Sequence, residues 1–164
     1  DLSKVTMFLD QGINVNTVDD NGWTALHIAT YRDYSNLVAL LINRGADIQQ
    51  KMQNRSTALK IALNHTYVES SKLLLFAGAH FDPIALHHAA ENGNQEIVQL
   101  LLDAGADVHA KNQYSLTPLE CALKNGHMHI VELLIAYGAE TWAKNSYDLC
   151  NAVLQNDVAQ LRKV

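Results

Sequence analysis

Apolar residues recur along the chain in two alternating patterns. A short segment of small and branched apolar residues starts each copy: "WTALHIA" at 23–29, "STALKIA" at 56–62, "PIALHHAA" at 83–90, "LTPLECA" at 116–122 and a weaker "YDLCNAV" at 147–153. A longer apolar run follows and leads to glycine: "KVTMFLDQGIN" at 4–14, "LVALLINRGAD" at 37–47, "SKLLLFAGAH" at 71–80, "IVQLLLDAGAD" at 97–107 and "IVELLIAYGAE" at 130–140. The helical spacing of these apolar residues predicts a pair of helices in each copy.

Signals for helix ends fall at matching places in the copies. A threonine that can cap a helix precedes three of the short segments, and the candidates are Thr24, Thr57 and Thr117. The longer runs end at glycines that suit a left-handed C-terminal position, namely Gly45, Gly78, Gly105 and Gly138. The polar stretches between copies, such as "DIQQKMQNRS" and "DVHAKNQYSL", are rich in turn-forming residues. We expect each of them to project as a β-hairpin, which we call a finger.

The "TALH" and "TPLE" helix starts, the "NG" and "NGH" turns, the "VxLL" helix cores and the "GAD" caps together resemble the ankyrin repeat family over essentially the whole chain. The resemblance implies an all-α solenoid with short β-hairpin fingers, in which fingers and first helices line a concave side. It divides the single domain, 1–164, into a half repeat at 1–18, repeats at 19–51, 52–82, 83–111 and 112–144, and a half repeat at 145–164. The chain begins and stops inside helices, so we expect more protein on at least one side. A natural irregular cap is the alternative.

One finger is shortened. The helix-start leucine follows the cap glycine by fourteen positions in 45–59 but by only eight in 78–86. Ile84 replaces the capping threonine, and we expect Asp82 to cap the helix with Pro83 at its first position. Two interpretations stay open: a tolerated loop deletion, or a gap that admits a bulky partner segment. The second predicts partner contacts on both sides, near 50–56 and 110–116.

One position inside the second helices also departs from the pattern. Val38, Val98 and Val131 are predicted to be buried, whereas the matching residue of the remaining copy is Ser71. We expect its hydroxyl to bond back to the preceding helical turn. We also expect this repeat to be locally softer than the others.

Composition and charge narrow the class of function. The chain is 48% hydrophobic and 18% charged, and no apolar run approaches the roughly 18 residues of a membrane span. A net charge of −5 without a basic stripe argues against nucleic acid as a partner. Two cysteines, Cys121 and Cys150, indicate a reducing compartment. We therefore predict a cytoplasmic monomer that binds no membrane, with the nucleus or a host cytosol left open.

No pattern indicates catalysis, a cofactor or a metal. In the family that this chain resembles, His27 and His87 hold a position that braces the hairpin backbone. The closely spaced histidines at 87–88 and 127–129 have no cysteine or carboxylate at zinc-like spacing. Cys121 and Cys150 occupy nearly matching places in successive copies, and we expect buried thiols, with a redox link as the alternative. The prediction is a protein that is not an enzyme.

The resemblance places the variable, partner-contacting residues at the finger tips and at the ends of the first helices. In this sequence they are Asp20, Asn21, Trp23, Tyr31, Arg32, Gln53, Asn54, Asn64, His65, Glu91, Asn92, Gln113, Tyr114, Leu116, Lys124 and Asn125. Trp, Tyr and Arg are enriched at binding hot spots. For Trp23, packing on the adjacent finger is an equally open interpretation.

Acidic residues on this side suggest the chemistry of a partner. Asp19, Asp20 and Glu91 are expected to make the groove mildly acidic. We therefore expect a partner segment that carries Lys or Arg together with an apolar anchor.

The leading functional hypothesis is a protein–protein interaction module that binds along its concave surface. One alternative is the targeting or substrate-recruiting part of a larger enzyme or secreted effector, whose activity lies outside this chain. A second alternative is an intramolecular scaffold that binds its own flanking sequence. The fold alone does not choose between these hypotheses.

Overall fold

A computed structural model describes residues 2–140, which form nine α-helices in an array of pairs. The helices are α1 (Leu2–Asp10), α2 (Ala25–Tyr31), α3 (Ser35–Asn43), α4 (Ala58–Asn64), α5 (Val68–Phe76), α6 (Ala85–Glu91), α7 (Gln95–Asp103), α8 (Pro118–Lys124) and α9 (Met128–Ala136). Each even-numbered helix packs on the odd-numbered helix that follows it, and α3, α5, α7 and α9 pack side by side in a row. The all-α repeat architecture is confirmed. The predicted half repeat at 145–164, with Cys150, lies outside the described residues.

The fingers are present as tight turns. Within residues 2–140 no segment forms a β-strand, and each finger tip is a five-residue turn with two main-chain hydrogen bonds, one inside the turn and one that closes it. The closing bonds run from the N–H of Asp19, Met52 and Asn112 to the carbonyl oxygens of Trp23, Ser56 and Leu116, each over 3.0 Å. The fingers are therefore turns with fewer main-chain hydrogen bonds than the predicted β-hairpins would have, although they occupy the predicted places.

The predicted helix ends are confirmed. Thr24, Thr57 and Thr117 are extended N-cap residues whose hydroxyls accept hydrogen bonds from the backbone N–H three residues on. All four predicted cap glycines have positive φ, between +81° and +91°. The turn between the two helices of a repeat also contains a residue with positive φ, and between α4 and α5 this residue is Thr66, at +59°. A β-branched residue is strained in that conformation.

The start of α6 differs from the prediction. The helix begins at Ala85, and the residue before it, Ile84, provides no side-chain cap. Asp82 instead closes a turn that precedes the helix: its Oδ1 accepts the Ile84 N–H at 3.0 Å and its carbonyl accepts the Ala85 N–H at 2.8 Å. Asp82 thus caps a turn and not the helix proper, and Pro83 lies within that turn.

The hydrophobic core is divided at the shortened finger. One cluster of buried residues lies within 26–79 and a second within 86–139. Leu63 and Phe81, both half-buried, contact the two clusters. The first helices α2 and α4 pack closely, as do α6 and α8, but α4 and α6 do not. At the shortened finger the first helices are therefore separated, whereas the second helices α5 and α7 still pack on each other.

Two serines of α5 replace apolar residues of the other second helices. Ser70 and Ser71 are both fully buried, as are Val38, Val98 and Val131 at the position of Ser71. The Ser70 hydroxyl donates to Oδ1 of Asp33 over 3.0 Å. The Ser71 hydroxyl has no hydrogen-bond partner in the described part of the chain, so the expected bond to the preceding turn is wrong.

Candidate functional site

The predicted contact residues lie on the finger turns and at the ends of the first helices. We call the surface of these elements the finger face and define it by the turns at 19–23, 52–56 and 112–116 together with α2, α4, α6 and α8. Fourteen of the sixteen predicted residues are exposed, and the other two, Trp23 and Leu116, are half-buried. The finger face is therefore accessible to a partner along its length.

An aromatic cluster lies at the first two repeats of this face. The rings of Trp23 and Tyr31 meet edge to face with their centroids 5.5 Å apart, and Tyr31 meets His65 in the same way at 5.6 Å. The His65 ring then stacks on Tyr67 at 5.3 Å. We call these four residues the aromatic cluster. Its members come from two successive repeats, and the sequence did not indicate Tyr67, because that residue follows the inter-helix turn.

The cluster leaves apolar surface exposed. Tyr31 is 46% exposed although it contacts two other rings. Trp23 also approaches His27 edge to face, at 6.3 Å, so its ring is held by side chains of its own repeat. Tyr114 lies apart on the third finger and is 72% exposed. Two separate aromatic positions are thus available for contact.

Some predicted contact residues hold the fingers together. The Gln53 side chain donates to the Asp20 carbonyl over 2.6 Å, and the Gln53 N–H donates to the Asn21 carbonyl over 3.3 Å. The Asn54 side chain accepts the Ser56 N–H within its own turn. These residues fix the geometry of the first two fingers, in addition to being exposed.

His27 braces the finger of the next repeat, as the family resemblance implied. Its Nδ1 accepts the Thr24 N–H at 3.2 Å, and its Nε2 donates to the Gln50 carbonyl at 3.1 Å. Burial lowers the pKa of His27, although the backbone carbonyls near Nε2 oppose this. His27 is therefore best accommodated as a neutral imidazole that links α2 to the second finger.

His87 braces the third finger with only half of this arrangement. Its Nε2 lies 3.0 Å from the carbonyl oxygens of both Ala110 and Leu116. Its Nδ1 is buried without a partner among residues 2–140. Ile84, which stands where Thr24 stands in the first repeat, has no hydroxyl, and its N–H donates to Oδ1 of Asp82 instead. The shortened finger therefore leaves a buried polar atom unsatisfied at the start of α6.

A cavity of about 650 Å³ lies where the shortened finger leaves space between α4 and α6. We call it the notch. Its lining combines the second finger, both first helices and the turn at 80–84. Asn64 and Asn92, two of the predicted contact residues, lie in it. Sequence reasoning predicted a gap in this place and left its role open.

The charge of the notch differs from the expected acidity of the finger face. Lys51, Arg55 and Lys60 line it, with Asp82 as the one carboxylate among the described lining residues. Asp19 and Asp20 lie on the first finger, and the Asp19 carboxylate already accepts two N–H groups of its own turn. Glu91, the third residue expected to be acidic, is exposed at the end of α6. The finger face is therefore acidic at the first finger and at Glu91 and basic at the notch.

The described residues offer little for catalysis. Cys121 is a buried free thiol, and burial raises its pKa, which disfavours the reactive thiolate. Within residues 2–140 no three His, Cys, Asp or Glu side chains come together in a way that could hold a metal ion. None of the helices in that range is long and apolar enough to cross a membrane.

Comparison with known proteins identifies the repeat. A family model described as ankyrin repeats (3 copies) matches residues 1–85 and 80–145. The chain is 36% identical over 115 residues to the transient receptor potential cation channel subfamily A member 1 homolog of Caenorhabditis elegans, covering 66% of this chain and 10% of that protein.

Two further relatives are similar over comparable lengths. Ankyrin repeat and SOCS box protein 5 of Oryctolagus cuniculus is 34% identical over 101 residues, which cover 58% of this chain and 31% of that protein. Ankyrin repeat protein OPG189 of Variola virus is 25% identical over 132 residues, which cover 71% of this chain and 24% of that protein. The chain thus spans at most 31% of these three relatives. Since the family model matches most of the chain, the chain belongs to the ankyrin repeat family.

Proposed function

We propose that this chain is a non-catalytic protein–protein interaction module that binds a segment of another protein on its finger face. Ankyrin repeats generally mediate protein–protein interaction. The observation that carries the proposal is the aromatic cluster, in which Tyr31 contacts the rings of both Trp23 and His65 and is still 46% exposed. Rigid, partly exposed aromatic rings are typical anchors of binding hot spots. A cytoplasmic monomer is the proposed state.

The partner segment would contact the sixteen predicted residues unevenly. The strongest contacts are proposed at the aromatic cluster and at Tyr114, on opposite sides of the notch. A Lys or Arg of the partner fits best beside Asp20 on the first finger, where the carboxylate is exposed. Gln53 and Asn54 would contribute mainly by holding the fingers in place.

A second candidate function follows from the length of the relatives. The chain matches only 10% to 31% of the three relatives named above, each of which is a much larger protein. The module would then be the targeting or substrate-recruiting part of a larger protein, whose activity resides in its other segments. Both candidates use the finger face, so the same variants test them.

The test compares two double variants that each remove two exposed aromatic rings. Tyr31→Ala with Tyr114→Ala removes rings of the finger face, whereas Tyr34→Ala with Phe76→Ala removes exposed rings at the second helices. Proteins captured from lysate by the wild type are identified, and the affinity of each is then measured with purified components. We expect each lost anchor to weaken binding by about 1–3 kcal/mol, and the control pair to bind as the wild type does.

Thermal stability is measured for both pairs, because exposed substitutions should change it little. Equal loss of binding in the two pairs, or no loss in either, contradicts the assignment to the finger face.

A further inference from the structure

The notch is the place that a finger occupies elsewhere in the array. In the first repeat the side chain at the third position of the first helix, His27, donates to a carbonyl of the next finger. His87 does the same for the third finger. The equivalent residue of α4 is Lys60, and the finger that it would brace is the shortened one. Lys60 therefore faces a cavity where the other repeats present finger carbonyls.

The ammonium group of Lys60 has no acceptor in the part of the chain that the structure describes. Its backbone N–H bonds to the Thr57 cap, but its side chain makes neither a hydrogen bond nor an ion pair. Lys51 and Arg55 also line the notch without ion pairs. The Asp82 carboxylate is engaged with the Ile84 N–H. Three cations that have no ion-pair partner among residues 2–140 thus line this cavity, in a chain whose net charge is −5.

The remainder of the lining is partly apolar. Leu63 and Phe81, which contact both core clusters, lie in the notch together with Ile84 and Ala89. Ile84 is 37% exposed. A volume of about 650 Å³ falls within the range of sites that bind ligands of a few residues or less.

We propose that the notch receives an acidic, extended segment of the partner protein, which takes the place of the missing finger. Carbonyl or carboxylate oxygens of that segment accept from Lys60, Arg55 and Lys51, and one apolar side chain packs on Leu63, Phe81 and Ile84. Charge complementarity favours an acidic segment, because a basic segment would be repelled by the three cations. The inference rests on the proposed function and adds the chemistry of the segment at this point of the finger face.

The experiment selects binding peptides from a random twelve-residue phage library on three forms of the protein. The first is the wild type. The second carries Lys51→Glu, Arg55→Glu and Lys60→Glu, which reverse the charge of the notch. The third is a control with Lys4→Glu, Arg44→Glu and Lys72→Glu, three exposed basic residues outside the notch and the finger face that give the same change in net charge.

We expect wild type and control to select peptides in which Asp or Glu flank an apolar residue. The notch variant should select peptides with Lys or Arg in their place. A synthetic acidic peptide from the first selection should bind the notch variant at least about tenfold more weakly than the control. Its affinity for the wild type should also fall as salt is raised.

The same peptides distinguish the two proposals when they are measured against the Tyr31→Ala, Tyr114→Ala variant. Peptides that lose affinity for this variant but bind the notch variant normally overturn the inference and leave the proposed function intact. Peptides that are insensitive to both variants contradict both. Selected peptides without acidic enrichment, or the same sequences from all three proteins, also overturn the inference.

A second variant tests the replacement of the finger directly. Residues 111–116, the tip of the third finger, are inserted between Phe81 and Asp82 to restore a finger of full length. If this protein folds, as judged by its helical circular dichroism and cooperative melting, the acidic peptide should lose at least about tenfold in affinity. Undiminished binding by the folded insertion variant would mean that the peptide does not occupy the notch.

Discussion

The junction between the first two repeats and the junction at the notch show what one finger contributes. At the first junction, α2 packs on α4, Gln53 links two fingers, and both ring nitrogens of His27 are satisfied. At the notch, α4 and α6 lie apart, and the Nδ1 of His87 has no partner. Six missing residues thus remove both the packing and the hydrogen bonds that a finger supplies.

The junction at the notch also contains a second buried polar group without a hydrogen-bond partner among the described residues. The two buried side-chain atoms without a partner among the described residues are the Ser71 hydroxyl and the His87 Nδ1. They lie on α5 and α6, the helices that flank the turn at the notch. Because unsatisfied buried groups cost free energy, this junction should be the weakest place in the described array. In a solenoid each repeat is stabilised by its neighbours, so a weak interface divides the array.

The largest expected effect tests whether the two cores unfold separately. Leu26→Ala removes a fully buried side chain from the first cluster and should destabilise it by about 2–5 kcal/mol. Leu101→Ala makes the same change at a fully buried leucine of the second cluster. Hydrogen exchange measured by mass spectrometry should show that Leu26→Ala speeds exchange in α2–α5 and leaves α6–α9 protected, and that Leu101→Ala does the reverse.

Equal acceleration in both halves for either variant would mean that the contacts of Leu63 and Phe81 couple the clusters into one cooperative unit.

A smaller effect concerns the serines of α5. Ser71→Val places in α5 the residue that the matching positions hold, removes an unsatisfied hydroxyl and should stabilise the protein by about 1–2 kcal/mol. Ser70→Val is the control, since it deprives the Asp33 carboxylate of a hydrogen bond and should be neutral or destabilising. Urea denaturation of both variants measures the difference. Ser71→Val that destabilises the protein would indicate that α5 has no room for a larger side chain.

The smallest effect concerns the junction between the first two repeats and the dependence of stability on pH. Burial lowers the pKa of His27 in the folded protein below the value of 6.5 for an unperturbed histidine. The unfolded chain therefore binds the proton more readily, and His27 reduces stability as pH falls below about 6.5. Its contribution is fully present above that pH. His27→Gln should therefore make the free energy of unfolding less dependent on pH between 7.5 and 5.5.

Urea midpoints at the two pH values measure this dependence. An identical dependence in wild type and His27→Gln would assign the acid sensitivity to other groups.

Much of the fold could be predicted from sequence because its signals are local. A capping hydroxyl, a glycine with positive φ and apolar residues at helical spacing act within a few residues, and the structure confirms them at Thr24, Gly45 and Leu41. The finger positions and the exposure of the predicted contact residues follow from the same repeat register. The prediction failed at Asp82 and Ser71, where the repeat pattern was interrupted. Asp82 closes a turn before α6, and the Ser71 hydroxyl has no partner among residues 2–140.

The sequence by itself determined the repeat, its helix ends and the place of the shortened finger. Only the tertiary structure decided what that deletion does, because its consequences depend on residues about thirty positions apart. The division of the core at Leu63 and Phe81, the aromatic cluster across two repeats and the cationic lining of the notch all arise from packing between repeats. In an array each side chain gains or loses its partner through the adjacent repeat, so Lys60 becomes part of a candidate site only when the finger opposite it is absent.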